Sequence, residues 1–200
     1  MTFTTTLNPR MEPDETVFLG KLETNFPSKE VNGKEVIRNG ESFYKISNAD
    51  LMRPFFMSIV SNSDHWMFIS SNGSLSAGRK NSNYALFPYY TDDKITEAVE
   101  TTGSKSIFLV TANDKKYLWE PFSNRHQGIY KVSRNLYKNV LGNKVIFEEI
   151  NHDLNVGFTY EWNSSEKYGF VRKSSFKNQN DAQISVELID GIQNVLPQGV

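Results

Sequence analysis

Along this chain, short runs of β-branched and aromatic residues alternate with Asn, Gly and Asp punctuation, and apolar positions rarely recur at helical spacing. The cleanest stretch is residues 156–162. Val156, Phe158, Tyr160 and Trp162 share one face, and Gly157, Thr159 and Glu161 the other. Strict alternation of this kind is the pattern of a half-buried strand. Residues 106–111 hold the continuous apolar run Ile107, Phe108, Leu109 and Val110, as expected of a strand covered on both sides. Residues 55–60 read as a strand with apolar residues on both faces, and residues 184–189 as the last strand, with Ile184, Val186 and Leu188 on one face.

Turn chemistry suggests how these runs connect. Asn32-Gly33 predicts a small hairpin between residues 30–31 and 34–37; Asn39-Gly40 follows, then a strand over 41–46. Asn72-Gly73 joins 66–70 to 74–77, and Asn-Gly readily takes the positive φ values of a type I′ turn. Asn113-Asp114 joins 106–111 to 116–119, Leu141-Gly142-Asn143 joins 134–140 to 144–150, and Asn163-Ser164-Ser165 turns the alternating strand back into 168–173. One short helix is expected over 91–99, with Thr91 as N-cap and Asp92 and Asp93 in its first turn. A helical turn is also expected within 188–196, before Pro197.

The whole predicts an all-β fold, a large antiparallel β-sandwich of about ten to twelve strands with one or two short helices. Residues 1–40 are the most polar and least patterned, and read as an N-terminal arm with peripheral strands; residues 41–200 read as the sandwich. The segment 186–200 is apolar and turn-forming where tails are usually polar, so the chain is expected to be the N-terminal part of a longer one.

Composition narrows the chemistry. Twenty-two Lys+Arg against 23 Asp+Glu give a net charge of −1, so global charge supplies no argument for nucleic acid or anionic lipid. The absence of Cys removes disulfides, thiolate nucleophiles and Cys-bound zinc. Residues 1–20 hold no apolar signal region and no run is long enough for a spanning helix, so a cytoplasmic protein without membrane association is expected. On that ground the sequons Asn72-Gly73-Ser74 and Asn163-Ser164-Ser165 read as chance.

Two clusters hold candidate chemistry. In residues 70–93, Gly73 and Gly78 permit close backbone approach, Arg79 and Lys80 offer donors, and Tyr84, Phe87, Tyr89 and Tyr90 offer flat faces. This reads either as a sugar or anion surface or as an ordered loop whose aromatics plug the end of the sandwich, with Arg79 paired to a local Asp. Arg79-Lys80 stands where a phosphate loop would carry Lys-Ser/Thr, so that motif is excluded. In residues 119–130, Trp119 would stack on a ring, Arg125 would bind an anion, and His126 would serve as ligand, base or hydrogen-bonding strut. No pair among His65, His126 and His152 has metal-ligand spacing, so neither metal nor cofactor is expected. Glu148 and Glu149 are adjacent on one strand and so point to opposite faces, which rules them out as one acid/base pair.

At these clusters the chain resembles the N-terminal super-sandwich of cellobiose-phosphorylase-like carbohydrate phosphorylases and related glycoside hydrolases, a galactose-mutarotase-like fold. The likeness lies in Arg79-Lys80-Asn81, in Tyr84-Ala85-Leu86-Phe87-Pro88-Tyr89, in Tyr117-Leu118-Trp119, and in Arg125-His126-Gln127-Gly128-Ile129-Tyr130. It spans residues 41–176. Where the family has Trp-Ser-Pro and an Arg-His-Gly-like element, this chain has Glu120 and an intervening Gln127, which puts rim contacts at those two positions in doubt. The resemblance implies a non-catalytic domain that supports a downstream (α/α)-barrel, shapes its substrate rim and often contributes to dimer contacts, so a homodimer is among the expectations. Arg79, Tyr89, Trp119, Arg125 and His126 are then the residues expected to face carbohydrate or the partner domain. Two alternatives stand beside it. One is a stand-alone carbohydrate-binding module. The other is an epimerase-like enzyme with His126 as acid or base and Glu148 or Glu161 opposite.

Overall fold

The computed structural model describes residues 16–20 and 29–196, except for the side chain of Asp92. Most of the expected N-terminal arm, and the residues from Pro197 onward, lie outside the described residues. In chain order the strands are β1 (Val17–Phe18), β2 (Asn32–Arg38), β3 (Glu41–Ser47), β4 (Phe56–Ile59), β5 (His65–Ser70), β6 (Leu75–Arg79), β7 (Gly103–Ala112), β8 (Lys115–Trp119), β9 (Val132–Asn139), β10 (Lys144–Asn151), β11 (Val156–Ser165), β12 (Gly169–Asn178) and β13 (Ser185–Gln193). One helix, α1 (Asp92–Glu97), precedes β7, and 3-10 turns lie at Ala49–Leu51 and Ser82–Tyr84.

The strands form a six-stranded sheet in the order β12-β11-β10-β9-β3-β2, a four-stranded sheet β1-β8-β7-β13 and a three-stranded sheet β4-β5-β6. Within the described residues only β1 and β8 pair in parallel. One apolar core joins all three sheets: Val145, Phe147, Phe158 and Tyr160 from the largest, Phe108 and Trp119 from the second, Met67, Ile69 and Leu75 from the third. This is an all-β sandwich. The alternation of β11 explains its position. Val156, Phe158, Tyr160 and Trp162 are each at most 2% exposed, so one face of this strand is entirely core. On the opposite face of the six-stranded sheet, Phe43, Tyr137 and Ile146 form a smaller cluster with Val36. It is roofed by Arg38, whose guanidinium lies 4.4 Å from the centre of the Tyr137 ring.

Asn113 (φ 51°) and Asp114 (φ 57°) form the two-residue positive-φ turn expected between β7 and β8. The expected turns at Asn39-Gly40 and Leu141-Gly142-Asn143 also form, between β2 and β3 and between β9 and β10; the others fall differently. Asn32 and Gly33 lie inside β2, paired with Ser47 and Ile46, and the chain reverses at Asn39 (φ 49°) and Gly40 (φ 79°) instead. Gly33 serves another purpose: a Cβ there would strike the Tyr44 ring across the sheet. At 72–73 only Gly73 has positive φ, and the connection is a wider loop closed by Ser70 N–H on the Ser74 carbonyl at 2.8 Å. Asn163-Ser164-Ser165 is strand, paired with residues 169–171, so β11 runs past its alternating core before turning at 166–168. The helical turn expected within 188–196 is strand as far as Gln193, because Leu188 to Gln193 pair with Phe108 to Gly103 of β7. β4 carries apolar residues on both faces but buries only one: Met57 and Ile59 are buried while Phe56 and Ser58 are exposed. Phe56 still finds a partner, stacking on Phe68 with centroids 5.2 Å apart.

Candidate functional site

The loop between β8 and β9, residues 120–131, is shaped by a few local constraints. Pro121 lacks an N–H and ends the pairing of β8. Phe122 adopts φ 65°, a left-handed conformation that costs an aromatic residue energy. Two contacts hold it there: its N–H donates to Glu149 Oε2 at 2.7 Å, and its ring meets Tyr160 edge-on at 5.1 Å. Gly128 (φ 83°) permits the last bend. Tyr130 then anchors the loop to β8 by donating its hydroxyl to the Leu118 carbonyl at 2.5 Å, and burial pushes that hydroxyl up to about 12.

Three carboxylates fasten this loop from three directions. Glu149 sits on the core face of β10, 2% exposed. It accepts from Trp119 Nε1 at 2.9 Å, from the Phe122 N–H and from Arg134 Nε at 2.7 Å. Arg134 extends the clamp by donating to the Ser123 carbonyl at 2.8 Å and to Asn124 Oδ1 at 3.2 Å. Glu100, just after α1, accepts from the Asn124 N–H at 2.6 Å and Lys105 Nζ at 3.0 Å and lies 3.5 Å from Arg125 Nε. Burial pushes the Glu100 carboxyl up, but the Asn124 N–H, Lys105 and Ser123 outweigh it and leave the group below its ordinary range. Glu120 pairs with Lys105 and lies 4.0 Å from His126 Nδ1, a buried nitrogen with no hydrogen-bond partner among the described residues.

Two clefts flank Arg134. One, of about 340 Å³, is lined by Glu120, His126, Gln127, Tyr130 and Glu149 among others; the other, of about 190 Å³, by Asn72, Asn124, Leu136 and Phe147. Asp50, Gln127 and Arg134 border both. The walls offer N–H donors from Arg134, Gln127 and Asn124, and one exposed carboxylate, Asp50. That set recognises hydroxyl and carbonyl groups.

The five residues expected to face a ligand or partner fall into two groups. Trp119 is 1% exposed and packs on Phe108 and Phe176, with its N–H spent on Glu149. Trp119 lines the larger cleft with His126, but it is so nearly buried that it offers a ring from solvent almost no surface. Arg125 is exposed beside it, tethered to Glu100, and His126 lies at the cleft wall. Arg79 and Tyr89 are elsewhere. Arg79 ends β6, is paired with Asp64 at 3.3 Å and borders a separate cleft. Tyr89 is 60% exposed and meets Trp66 edge-on at 5.8 Å. No described cleft holds both groups.

The carboxylates placed opposite His126 by the epimerase-like arrangement are not there. Glu148 points to the other face of the sheet, where it accepts from Asn135 and from Tyr137 at 2.6 Å, and Glu161 accepts from Asn163. The pleat of β10 puts Glu149, not Glu148, on this side. Of the residues that organise this loop, Glu149 enters the sequence only as the neighbour of Glu148, and Arg134, Glu100 and Asp50 stand in no motif. A signal existed for Glu149: the alternation of Val145 and Phe147 puts its position on an apolar face of the strand. Among the described residues no three His, Asp or Glu gather as a metal would need, and no helix is long and apolar enough to cross a membrane. No family model matches the chain, and no curated protein shows significant similarity to it.

Proposed function

We propose that this chain is a non-catalytic, galactose-mutarotase-like sandwich domain of a carbohydrate-active enzyme of the glycoside phosphorylase or hydrolase type. In this reading the 120–131 loop forms part of a rim that meets carbohydrate or a partner domain. The observation that carries it is the commitment of the acidic groups under that loop. Glu149 receives three donors, and Glu100 and Glu120 share Lys105. Carboxylates held this way make a rigid platform and leave no pair free for acid/base work on a glycosidic bond. The loop meanwhile presents Asn124, Arg125 and Gln127 outward, a polar surface suited to hydroxyls.

The test has two arms. The polypeptide made by the native source is expected to have a mass well above the 22.9 kDa of these residues. The purified chain is expected to leave the anomer interconversion of glucose and galactose, followed by polarimetry, at the uncatalysed rate. A native mass of 22.9 kDa overturns the assignment to a larger enzyme. Accelerated anomer interconversion overturns the non-catalytic role.

A further inference from the structure

In the six-stranded sheet the β2–β3, β9–β10 and β11–β12 turns all lie at one end, since Phe43 pairs with Asn139 and Lys144 with Asn163. These turns and the residues beside them carry very open apolar side chains. Ile37 and Val140 are each 76% exposed, Leu141 73% and Tyr168 71%. Among the other described large hydrophobic residues only Ile189, at 73%, is as open. Ile37 pairs with Ser42, whose carbonyl accepts from the Val140 N–H at 3.1 Å, so the first two tips are neighbours. The β4–β5 loop ties the third tip to them. Its Val60 N–H donates to the Gly142 carbonyl at 3.0 Å, and the Ser164 hydroxyl donates to Ser61 Oγ at 3.0 Å.

Two features suit this end to a partner that removes it from water. The first is that the polar groups of the β9–β10 tip are already spent inside the protein. The N–H groups of Val140, Gly142 and Lys144 donate to the Ser42 carbonyl, the Asn139 carbonyl and Asn139 Oδ1. Desolvating them therefore costs little. The second is local charge. Lys144 is paired with Glu41, Arg79 with Asp64, and Arg38 faces Glu148 at 3.7 Å. Those pairs cancel. They leave Lys80 beside Asp64, Lys138 on the Ser58 carbonyl and Lys167 over the Tyr168 ring, against exposed Glu166. The net charge of −1 over the whole chain hides this positive surplus.

The relief of the surface chooses the partner. The apolar groups stand on separate turns, with Asn39, Asn143 and Lys167 beside them. A protein would need a matched socket for each, whereas acyl chains give way to all of them at once. Aliphatic side chains at turn apices, an exposed tyrosine and lysines with long apolar stems are the residue types of a membrane interface. We propose that this end of the sandwich docks on a bilayer surface carrying anionic headgroups, with Val140 and Leu141 entering the acyl boundary and Lys138 and Lys167 meeting the headgroups. The 120–131 loop enters β9 at its opposite end, so the proposal does not depend on the role assigned to that loop.

The test is flotation of the purified chain with vesicles of phosphatidylcholine alone and of phosphatidylcholine mixed equally with phosphatidylserine. The chain is expected to float with the mixed vesicles, to bind the neutral ones about tenfold more weakly, and to be released by high salt. Val140→Ser/Leu141→Ser alters two exposed side chains. It is expected to keep the parent's Tm and to weaken binding about tenfold. Ile189→Ser removes an equally open side chain from the four-stranded sheet and is expected to bind as the parent does. Because the chain holds no Cys, Leu141→Cys takes a single environment-sensitive dye, whose emission is expected to shift to the blue on the mixed vesicles. No binding to the mixed vesicles overturns the proposal and leaves the surface to a protein partner. Equal binding to neutral vesicles overturns it too, as does undiminished binding in the folded Val140→Ser/Leu141→Ser variant, an equal loss in Ile189→Ser, or an unshifted dye on the bound chain. None of these results bears on the native mass or on anomer interconversion, so this proposal and the assignment of the domain fail separately.

Discussion

Arg134 and Glu149 stand directly opposite each other on β9 and β10, on the face of the sheet that forms the core, with Nε 2.7 Å from Oε2. Their side chains are 18% and 2% exposed. A buried ion pair of this kind contributes little net stability over a well-packed apolar pair, but removing one partner strands the other. What the pair does here is positional. It joins the sheet to a loop that has no pairing of its own, through Trp119, Phe122, Ser123 and Asn124.

Glu149→Ala should therefore cost about 3–5 kcal/mol, because Arg134 is left as a largely buried charge without its carboxylate. Urea unfolding is the measurement. The midpoint should fall with little change in slope. The double variant Glu149→Leu/Arg134→Met should recover most of that loss, since it removes both charges together.

Trp119→Phe tests the same strut from the other side. The ring keeps most of its apolar contacts, but Glu149 loses a donor inside the core. The expected cost is about 1–3 kcal/mol. Arg125→Ala, at an exposed position six residues on, should stay within about 0.5 kcal/mol of the parent. Equal losses at the two sites would contradict their placement in core and rim.

Asp190 governs part of the acid limb. Burial pushes its carboxyl up, but hydrogen bonds from Arg172, Ser106 and Ser174 pull it down to about 2. An unfolded Asp titrates at about 3.9. The stability Asp190 adds is therefore fully present above pH ~4 and is lost as pH falls through about 2. Asp190→Asn should lower Tm at neutral pH, and the gap from the parent should close between pH ~4 and ~2. Glu41, held low by hydrogen bonds from Lys144 and Asn139, should keep the variant's own acid limb falling over the range where that carboxyl takes up its proton.

Asp114→Gly offers a gain. Asp114 holds φ 57° in the two-residue turn after Asn113, where an L side chain is strained and glycine is not. The substitution should add roughly 0.5–1 kcal/mol, the relief of strain less the entropy glycine loses on folding. Asp114→Val should be destabilising at the same site. Thermal unfolding of the two variants checks both signs.

The β character of this chain and the buried face of β11 were legible because the side-chain period of a strand is a local property. Val156 to Trp162 alternate regardless of what covers them. The Asn113-Asp114 turn was legible for a similar reason, since both residues tolerate positive φ. Asn32-Gly33 misled because the same tolerance does not oblige a turn. β3 offered Ser47 and Ile46 as partners, and the strand continued through. Residues 188–193 misled because an apolar run of mixed spacing suits helix and strand alike, and β7 was available to pair with it.

Sequence alone determined the fold class, the buried alternation of Val156 to Trp162 in β11 and the short helix at 92–97, all of which follow from steric and solvent preferences acting over a few residues. Tertiary structure decided the site. Trp119 and Glu149 are 30 residues apart, and Arg172 reaches Asp190 across two strands that belong to different sheets. Whether Trp119 is a stacking surface or a core strut depends on which distant strands become neighbours. That is settled by burying the faces of whole sheets against one another, and no local pattern records it.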